Sequence, residues 1–224
     1  FMTNDLLENT HHQISSIIID RDRPLIISDA DEVLVVFMAR FELFLNERNY
    51  FFDWSSFRLT GNIHRKSDNY TFSKNEVLSL LDTFFAKETQ SLDAVPGAIE
   101  ALEVLSSRAQ IVILSNVPSS YHSERERCLI EHGMNYPLIV NNGLKGPAVK
   151  ALAGPARAPV FFIDDSPSHI ESVATQADHV RRIHFVHDTR LAELVGPAPE
   201  SHHRMDSWPE ARITIEKELS EAGF

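Results

Sequence analysis

Short, continuous apolar runs alternate with helical patterns along this chain, and this alternation limits its possible folds more than any other feature. The runs begin at Leu25, Ile111, Pro137 and Val160, and a weaker run begins at Ile183. A segment that is apolar at every position is typical of a strand buried on both faces. Strands of this kind, separated by helices, predict an α/β fold built on a doubly wound parallel sheet.

One region interrupts the alternation, because it contains no buried-strand run. Residues 37–49 have helical spacing, and Ser73 and Glu76 form the capping-box pattern that starts a second helix. The expected organisation is a core domain of residues 1–35 and 93–224, a helical cap inserted over residues 36–92, and helices flanking the core over residues 6–19 and 207–222.

The charge balance and the cysteine count exclude several classes of function. The 224 residues include 21 Lys and Arg against 32 Asp and Glu, which gives a net charge of −11. Such a surface repels phosphate backbones, so nucleic acids are not expected partners. Cys128 is the one cysteine, so no internal disulfide can form, and no apolar run approaches the roughly 20 residues of a membrane span. Residues 1–5 lack the basic start of a secretory signal, and we expect a soluble, cytoplasmic protein.

Polar and charged side chains follow the apolar runs, where the ligands of open α/β sheets bind. In chain order these groups are Asp29 and Asp31, Ser115 and Asn116, Lys145 at a helix start, and Asp164 and Asp165. Four carboxylates and one lysine leave a charge of −3, and a hard, oxygen-preferring cation such as Mg2+ fits this donor set. Because Mg2+ in proteins is commonly completed by substrate phosphate, the cluster predicts phosphoryl chemistry on a small phosphorylated metabolite.

These motifs resemble those of the haloacid dehalogenase-like hydrolase superfamily, and the match covers most of the chain. The first motif, an apolar strand followed by Asp-x-Asp-x-(Thr/Val)-(Leu/Val), is matched by residues 25–34. The second motif ends in Ser115, the third is Lys145 at a helix start, and the fourth ends in Asp164 and Asp165. The resemblance implies a Rossmann-like core and a helical cap inserted between the first and second motifs.

The resemblance also implies a role for each motif residue. Asp29 would be the nucleophile and a metal ligand, and Asp31 the general acid and then the base, with its main-chain carbonyl on the metal. Ser115 would hydrogen-bond the transferred phosphoryl group, and Lys145 would neutralise charge on the phosphoaspartate. Asp165 would be the principal metal ligand of the fourth motif, with Asp164 as the alternative. An acid at position 31 favours phosphate esters, because dehalogenating and phosphonate-cleaving members lack it.

Some motif residues have competitors in the sequence. Asp20 and Asp22 also form an Asp-x-Asp pair after an apolar run, but a turn pattern follows them and we expect both at the surface. Lys150 competes with Lys145, although it falls inside a helical pattern. The acidic pair of the fourth motif could equally cap a helix, and its place in the order of motifs is what favours a site.

Specificity is expected to reside in the cap, which contains an aromatic and basic cluster comprising Trp54, Phe57, Arg58, His64, Arg65 and Lys66. Arg58 and Arg65, together with Asn116 of the core, are candidate substrate-binding residues. The simpler interpretation is that the aromatic members form the cap core and the basic members a solvated face. The eleven histidines show no metal-ligand spacing, so zinc is not expected, and His184 is expected at a strand end or at the surface.

The expected function is Mg2+-dependent hydrolysis of a small phosphomonoester through an aspartyl-phosphate. The same residues would serve a phosphotransferase or mutase, in which a second substrate takes the phosphoryl group instead of water. A regulatory protein that binds a phosphorylated ligand without catalysis is the third possibility, although the complete set of motif residues argues against it. The sequence leaves the ester open among sugar phosphates, nucleotides, phosphoglycolate-like acids and damaged metabolites, and it does not indicate an oligomeric state.

Overall fold

The computed structural model describes residues 6–56 and 58–224, and a six-stranded parallel sheet dominates it. Phe57 and residues 1–5, which entered the sequence analysis, lie outside the described residues. In spatial order the strands are β5 (Leu138–Val140), β4 (Gln110–Ser115), β1 (Leu25–Ser28), β6 (Val160–Asp164), β7 (Arg181–Phe185) and β8 (His203–Met205). All neighbouring pairs are parallel, which confirms the predicted sheet.

Helices cover both faces of this sheet. They are α1 (Glu8–Ser15), α2 (Met38–Asn46), α3 (Lys74–Glu88), α4 (Ala98–Ser106), α5 (His122–Glu131), α6 (Gly146–Ala153), α7 (Pro167–Gln176), α8 (Thr189–Leu194) and α9 (Trp208–Glu221). Alternate residues of β1 enter two separate apolar cores, Leu25 and Ile27 on one face and Ile26 on the other. Because both faces are apolar and covered, the sheet is doubly wound, as the continuous apolar runs predict.

The segment between β1 and α4 contains an antiparallel hairpin as well as two helices. Its strands are β2 (Tyr50–Phe52) and β3 (Ile63–Arg65), and they lie between α2 and α3. The sequence analysis anticipates only helices here, because three-residue strands are too short to show a period of two. Aromatic contacts hold the hairpin, with the ring of Tyr50 packed on Phe72 and that of Phe51 on His64.

Phenylalanine rings join α2 to α3. The rings of Phe37, Phe41 and Phe44 contact Phe84 at centroid distances of 5.0, 5.1 and 5.4 Å. The helix α3 begins with the predicted capping box, in which the Ser73 hydroxyl accepts from the backbone N–H of Glu76 and the Glu76 carboxylate accepts from that of Ser73. The two helices therefore form one packed unit, and Phe37 extends from it toward the sheet edge described below.

The first and last helices of the described chain, α1 and α9, pack against the core. The helix α1 is shorter than expected, and its Thr10 and Gln13 hydrogen-bond the backbone of Val140 in the edge strand β5. At the opposite edge the sequence analysis missed β8, which is short and polar. The helix α9 follows β8, and its buried Trp208 donates a hydrogen bond of 2.7 Å from Nε1 to the carbonyl of Val33. Trp208 thus supports the loop that follows Asp31.

None of the helices within residues 6–56 and 58–224 is long and apolar enough to cross a membrane.

Candidate active site

The first-motif and third-motif side chains meet at the carboxyl edge of the sheet. Asp29 directly follows β1, and its backbone N–H is fixed by the carbonyl of Ile163 at 2.9 Å. Lys145 immediately precedes α6, is fully buried, and places Nζ 2.6 Å from Asp29 Oδ1 and 2.7 Å from Asp164 Oδ2. Lys150, the competing lysine, is exposed on α6. The ammonium of Lys145 therefore links the first and fourth motifs across the sheet edge.

A glycine allows Lys145 to reach this position. Gly146 begins α6 and packs against α7, where its N–H donates to the Ser172 hydroxyl at 3.1 Å. A Cβ atom at position 146 would lie 2.4 Å from the Ser172 carbonyl oxygen, which is backbone and cannot turn away. The close approach of the start of α6 to the middle of α7 fixes the lysine between the carboxylates.

Burial and mutual repulsion shift the pKa values of this cluster. Burial, with Asp164 and Asp31 as like-charged neighbours, raises the pKa of Asp29 to about 6, although Lys145 opposes the shift. Burial also raises the pKa of Asp164 against the opposing effect of Lys145. Burial alone would lower the pKa of Lys145, but the two carboxylates outweigh it and raise that pKa. Lys145 is accordingly a permanent ammonium. Its single positive charge does not balance the carboxylates around it.

The acidic groups fit a hard divalent cation. Asp29, Asp164 and Asp165 each offer an oxygen, and these oxygens lie within 4.8 Å of one another. Both oxygens of Asp164 are already engaged, one by Lys145 and one by the backbone N–H of Ser166 at 2.9 Å. The Asp165 carboxylate has no hydrogen-bond partner within the described part of the chain, and burial together with Asp164 and Asp29 raises its pKa well above the usual range. Oxygen donors in this number suit Mg2+, with Asp165 the freer ligand.

Asp31 is held by an arginine that the sequence analysis missed. Arg125 of α5 is fully buried, and its Nη2 lies 2.6 Å from Asp31 Oδ1, whereas the Asp31 side chain remains 21% exposed. Two further nitrogens of this guanidinium, Nε and Nη1, are buried without partners in the residues that the structure describes. Arginines in helices are usually solvated, so nothing in the sequence distinguishes Arg125 from its neighbours on α5.

Glu32 is a second residue that the sequence analysis did not single out. It is 4% exposed and has a positive φ of 61°, a conformation that non-glycine residues adopt at an energetic cost. Its Oε1 accepts a 2.5 Å hydrogen bond from the backbone N–H of Met38 at the start of α2, while Oε2 is buried without a partner among the described residues. Burial raises the pKa of Glu32 to about 7, although the hydrogen bond from Met38 lowers it.

The second motif supplies one buried and one exposed group. Ser115, at the end of β4, is fully buried, and its hydroxyl accepts from the backbone N–H of Val117 at 3.2 Å. Asn116 is exposed and donates from Nδ2 to the carbonyl of Gly143 at 2.9 Å. Asn116 thus lines the cavity at the sheet edge, whereas Ser115 does not, and a role for Ser115 in binding a phosphoryl group stays a prediction.

A cavity of about 250 Å3 opens over this edge of the sheet. Its polar lining residues are Asp29, Asp31, Glu32, Asn116 and Asp165, and its remaining lining is apolar and comes mostly from the inserted segment. The cavity therefore lies between the acidic cluster and the helices α2 and α3, so a bound ligand would contact both.

The two cap arginines do not reach this cavity. Arg58 is exposed, and the guanidinium of Arg65 lies over the ring of Tyr70 at 5.0 Å and pairs with Asp68 at 3.5 Å. Trp54 packs on Phe52 within the hairpin. This arrangement corresponds to the simpler interpretation, in which the aromatic residues form the cap core and the basic residues an exposed face. Substrate binding by Arg58 and Arg65 stays a prediction without support from this geometry.

The other sequence expectations concern residues away from the cluster. Asp20 and Asp22 lie exposed in a turn, where the Asp20 carboxylate accepts from the backbone N–H of Asp22. Cys128 is buried on α5. The expectation for His184 was wrong in part, because this residue of β7 is fully buried. Its Nδ1 accepts from the backbone N–H of Ala198, so Nε2 carries the proton that is donated to the carbonyl of Asp165 at 2.9 Å.

No known protein-family model matches this chain, and no curated protein matches it in sequence. Solved structures match its fold. A haloacid dehalogenase (HAD) family hydrolase from Deinococcus radiodurans, with bound phosphate and sodium, has a TM-score of 0.59 at 17% identity, covering 88% of this chain and 97% of the other. A candidate HAD hydrolase from Bacillus subtilis, bound to magnesium, has a TM-score of 0.59 at 13% identity, with 88% and 99% covered.

A candidate β-phosphoglucomutase from Bacteroides vulgatus is also similar, with a TM-score of 0.55 at 14% identity and 96% of each chain covered. Identities this low indicate a shared fold and say nothing by themselves about a shared substrate.

Proposed function

We propose that this chain, which has the fold of the haloacid dehalogenase-like hydrolases, is a phosphatase that hydrolyses a small phosphomonoester through an aspartyl-phosphate on Asp29. The observation that carries the proposal is the buried Asp29–Lys145–Asp164 arrangement, with Nζ–O distances of 2.6 and 2.7 Å. A buried lysine between two carboxylates positions a nucleophilic oxygen and places positive charge where a transferred phosphoryl group would bind.

In the first step the Asp29 carboxylate attacks phosphorus, and Asp31, which must enter this step in its protonated form, gives that proton to the departing alcohol oxygen. In the second step Asp31 takes a proton from water, which attacks phosphorus and releases phosphate from Asp29. Oδ1 of Asp29 already accepts from Lys145 and from the backbone N–H of Ala30 at 2.7 Å, so Oδ2 is the oxygen left for attack. Arg125 holds Asp31 in place for both steps.

Mg2+ is the proposed cofactor, with Asp29, the main-chain carbonyl of Asp31, and Asp165 or Asp164 as its protein ligands. When bound, a divalent cation would neutralise charge between the carboxylates and the substrate phosphate. The oxygen donors within 4.8 Å of one another support this proposal, as does the magnesium in the Bacillus subtilis neighbour.

The one cysteine, Cys128, is buried and unpaired, which keeps a reducing compartment such as the cytoplasm as our expectation.

The test is phosphate release from a panel of phosphomonoesters with Mg2+, with a chelator, and with the variant Asp29→Asn. We expect turnover that requires Mg2+ and falls at least ~10³-fold in the variant, because an amide is a poor nucleophile. Lys150→Gln, on the exposed face of α6, is the control and should retain wild-type turnover. Substantial activity of Asp29→Asn would overturn the assigned nucleophile.

A phosphotransferase or mutase is the second candidate, favoured by the similarity to the Bacteroides vulgatus structure. The same panel separates the two activities. Phosphate release with no acceptor present indicates a hydrolase, whereas release or transfer that requires an added alcohol acceptor indicates a transferase. Binding of phosphorylated ligands without either reaction would indicate the non-catalytic alternative.

A further inference from the structure

The charged side chains that line the cavity over the acidic cluster are all carboxyl groups. Four carboxylates line it, those of Asp29, Asp31, Glu32 and Asp165, and no lysine, arginine or histidine of the described residues does. The two nearby cations are already committed to carboxylates, Lys145 to Asp29 and Asp164, and Arg125 to Asp31. With Asp164 included, five carboxyl groups face two cations. A bound divalent cation and a phosphate dianion would cancel each other, so no positive charge remains for an anionic leaving group.

Glu32 and Asp165 are the carboxylates of this set that pair with no lysine or arginine of the described residues. Asp165 is the proposed metal ligand, which leaves Glu32 for the leaving group. Oε2 of Glu32 is buried without a partner in the described part of the chain, and the residue lines the cavity. An unpaired buried carboxylate oxygen is costly, and its cost falls when a ligand brings a charged hydrogen-bond donor to it. Glu32 follows Asp29 by three residues, so their Cα atoms are at most about 11 Å apart. A short ligand can therefore place phosphorus at Asp29 and a donor at Glu32.

The remaining wall of the cavity is apolar. It consists of Phe37, Met38, Leu59, Leu81, Phe85 and Leu191. Sugar hydroxyls would lose their hydrogen bonds to water against this wall and find few protein partners, since Asn116 is its one uncharged polar side chain among the described residues. Methylene groups suit such a wall, and the rings of Phe37 and Phe85, 5.9 Å apart, can face a cation.

From these observations we infer that the preferred substrate is the phosphomonoester of a small amino alcohol, with Glu32 binding the ammonium group of the leaving alcohol. The inference rests on the proposed phosphatase function and deepens it. Esters whose alcohol carries a carboxylate or a second phosphate are disfavoured by the unbalanced negative charge, and polyhydroxylated sugars by the apolar wall. The volume of about 250 Å3 suits an alcohol of few heavy atoms.

The test compares matched esters that differ in charge and little in shape. Phosphate release is measured with Mg2+ for 2-aminoethyl phosphate, its uncharged counterpart propyl phosphate, and the anionic 2-phosphoglycolate, with 4-nitrophenyl phosphate as a generic ester. We expect kcat/KM for 2-aminoethyl phosphate to exceed that of each matched ester at least tenfold. Equal or lower values for the amino ester would overturn the inference, and this comparison needs no variant.

The variant Glu32→Gln then tests whether Glu32 is the residue that binds the ammonium group. It keeps an oxygen for the N–H of Met38 and loses only the charge, so thermal melting should show a folded protein. We expect the ratio of kcat/KM between 2-aminoethyl and propyl phosphate to fall about tenfold. The same measurement with 4-nitrophenyl phosphate reports any loss of activity that is not specific to the ammonium group. Glu103→Gln, exposed on α4, is the matched control and should leave the ratio unchanged.

The outcomes separate the two proposals. An unchanged ratio in Glu32→Gln would overturn the role of Glu32. Release from 4-nitrophenyl phosphate without a preference for the amino ester would leave the phosphatase standing and remove the substrate class. Absence of Mg2+-dependent release from every ester would overturn both.

Discussion

Buried polar atoms without partners are concentrated around the acidic cluster. In residues 6–56 and 58–224 such side-chain atoms are Glu32 Oε2, Arg125 Nε and Nη1, and His169 Nδ1. The last of these belongs to a histidine whose Nε2 lies 3.5 Å from Asn116. Each unsatisfied group costs roughly 1–3 kcal/mol, and the positive φ of Glu32 adds strain. Strain and unsatisfied buried groups are expected at functional sites, so their position here supports the proposed site.

Replacing Arg125 by Met tests whether this arginine serves activity more than stability. The substitution removes two unpartnered nitrogens and leaves Asp31, which is 21% exposed, able to hydrate. We therefore expect the free energy of unfolding to change by less than about 2 kcal/mol, while kcat falls at least ~10-fold because Asp31 loses its orientation. Chemical denaturation and phosphate release measure the two effects. A large loss of stability with unchanged kcat per folded molecule would show that Arg125 is structural.

The sequence predicts some of these residues and not others, for a physical reason. Asp29, Asp31, Ser115, Lys145 and the acidic pair follow apolar strands, and strand ends converge at one sheet edge, so their proximity follows from the fold class. The ion pair from Arg125 to Asp31 spans 94 positions and depends on the packing of α5. The buried state of Glu32 depends on where α2 begins. Neither the Arg125–Asp31 ion pair nor the burial of Glu32 produces a pattern among the neighbouring residues of the sequence.

At the scale of elements, Arg190 connects the core helix α8 to the inserted segment. Its Nη1 lies 2.7 Å from Glu42 Oε2 of α2, its Nη2 lies 2.7 Å from Asp188 Oδ2, and its guanidinium lies 3.8 Å from the centroid of the Trp54 ring. Trp54 in turn donates from Nε1 to Glu42. One arginine therefore joins the helix and the hairpin of the insertion to the core beside the cavity.

The substitution Arg190→Met should loosen this connection without unfolding the core. Arg190 is 41% exposed, so its ion pairs are screened and we expect a loss of only roughly 1 kcal/mol in global stability. Amide hydrogen exchange in α2 and the hairpin should accelerate, while that of β1 and β4 should not. Arg127→Met is the control, because Arg127 pairs within α5. Unchanged exchange in α2 would contradict a connecting role for Arg190.

Elements were predictable in proportion to their length and apolar content. The buried strands and the helix α3, with its capping box at Ser73, follow from local pattern. The strands β2, β3 and β8 have three residues each, with mostly half-buried side chains, and they form because neighbouring elements offer an edge or an aromatic contact. Such strands depend on tertiary structure that a sequence pattern does not contain.

At the scale of the whole molecule, the acidic cluster makes global stability depend on pH. Glu32 has a pKa of about 7 in the folded protein against an ordinary value of 4.5. A carboxyl with a raised pKa destabilises the folded state increasingly as pH rises from its ordinary pKa to its folded pKa, because the unfolded chain ionises first. Without metal, this penalty develops between about pH 4.5 and 7.

The prediction compares wild type with Glu32→Gln in the presence of a chelator. Going from pH 5 to pH 8, the wild type should lose on the order of 2 kcal/mol of unfolding free energy relative to the variant. The buried histidines titrate equally in both proteins and cancel in the comparison. Urea denaturation at the two pH values measures the difference, and a difference independent of pH would contradict the raised pKa of Glu32.

The contact from Trp208 to the carbonyl of Val33 has a consequence for synthesis on the ribosome. Asp29 and Asp31 are translated early, but β4 and β6, the strands on either side of β1, are complete only at residues 115 and 164. Trp208, which hydrogen-bonds the loop after Asp31, is translated later still. A polypeptide that ends before α9 would contain every motif residue, but the loop after Asp31 would lack the hydrogen bond from Trp208. We therefore expect the loop that follows Asp31 to reach its final conformation only after the helix α9 has been translated.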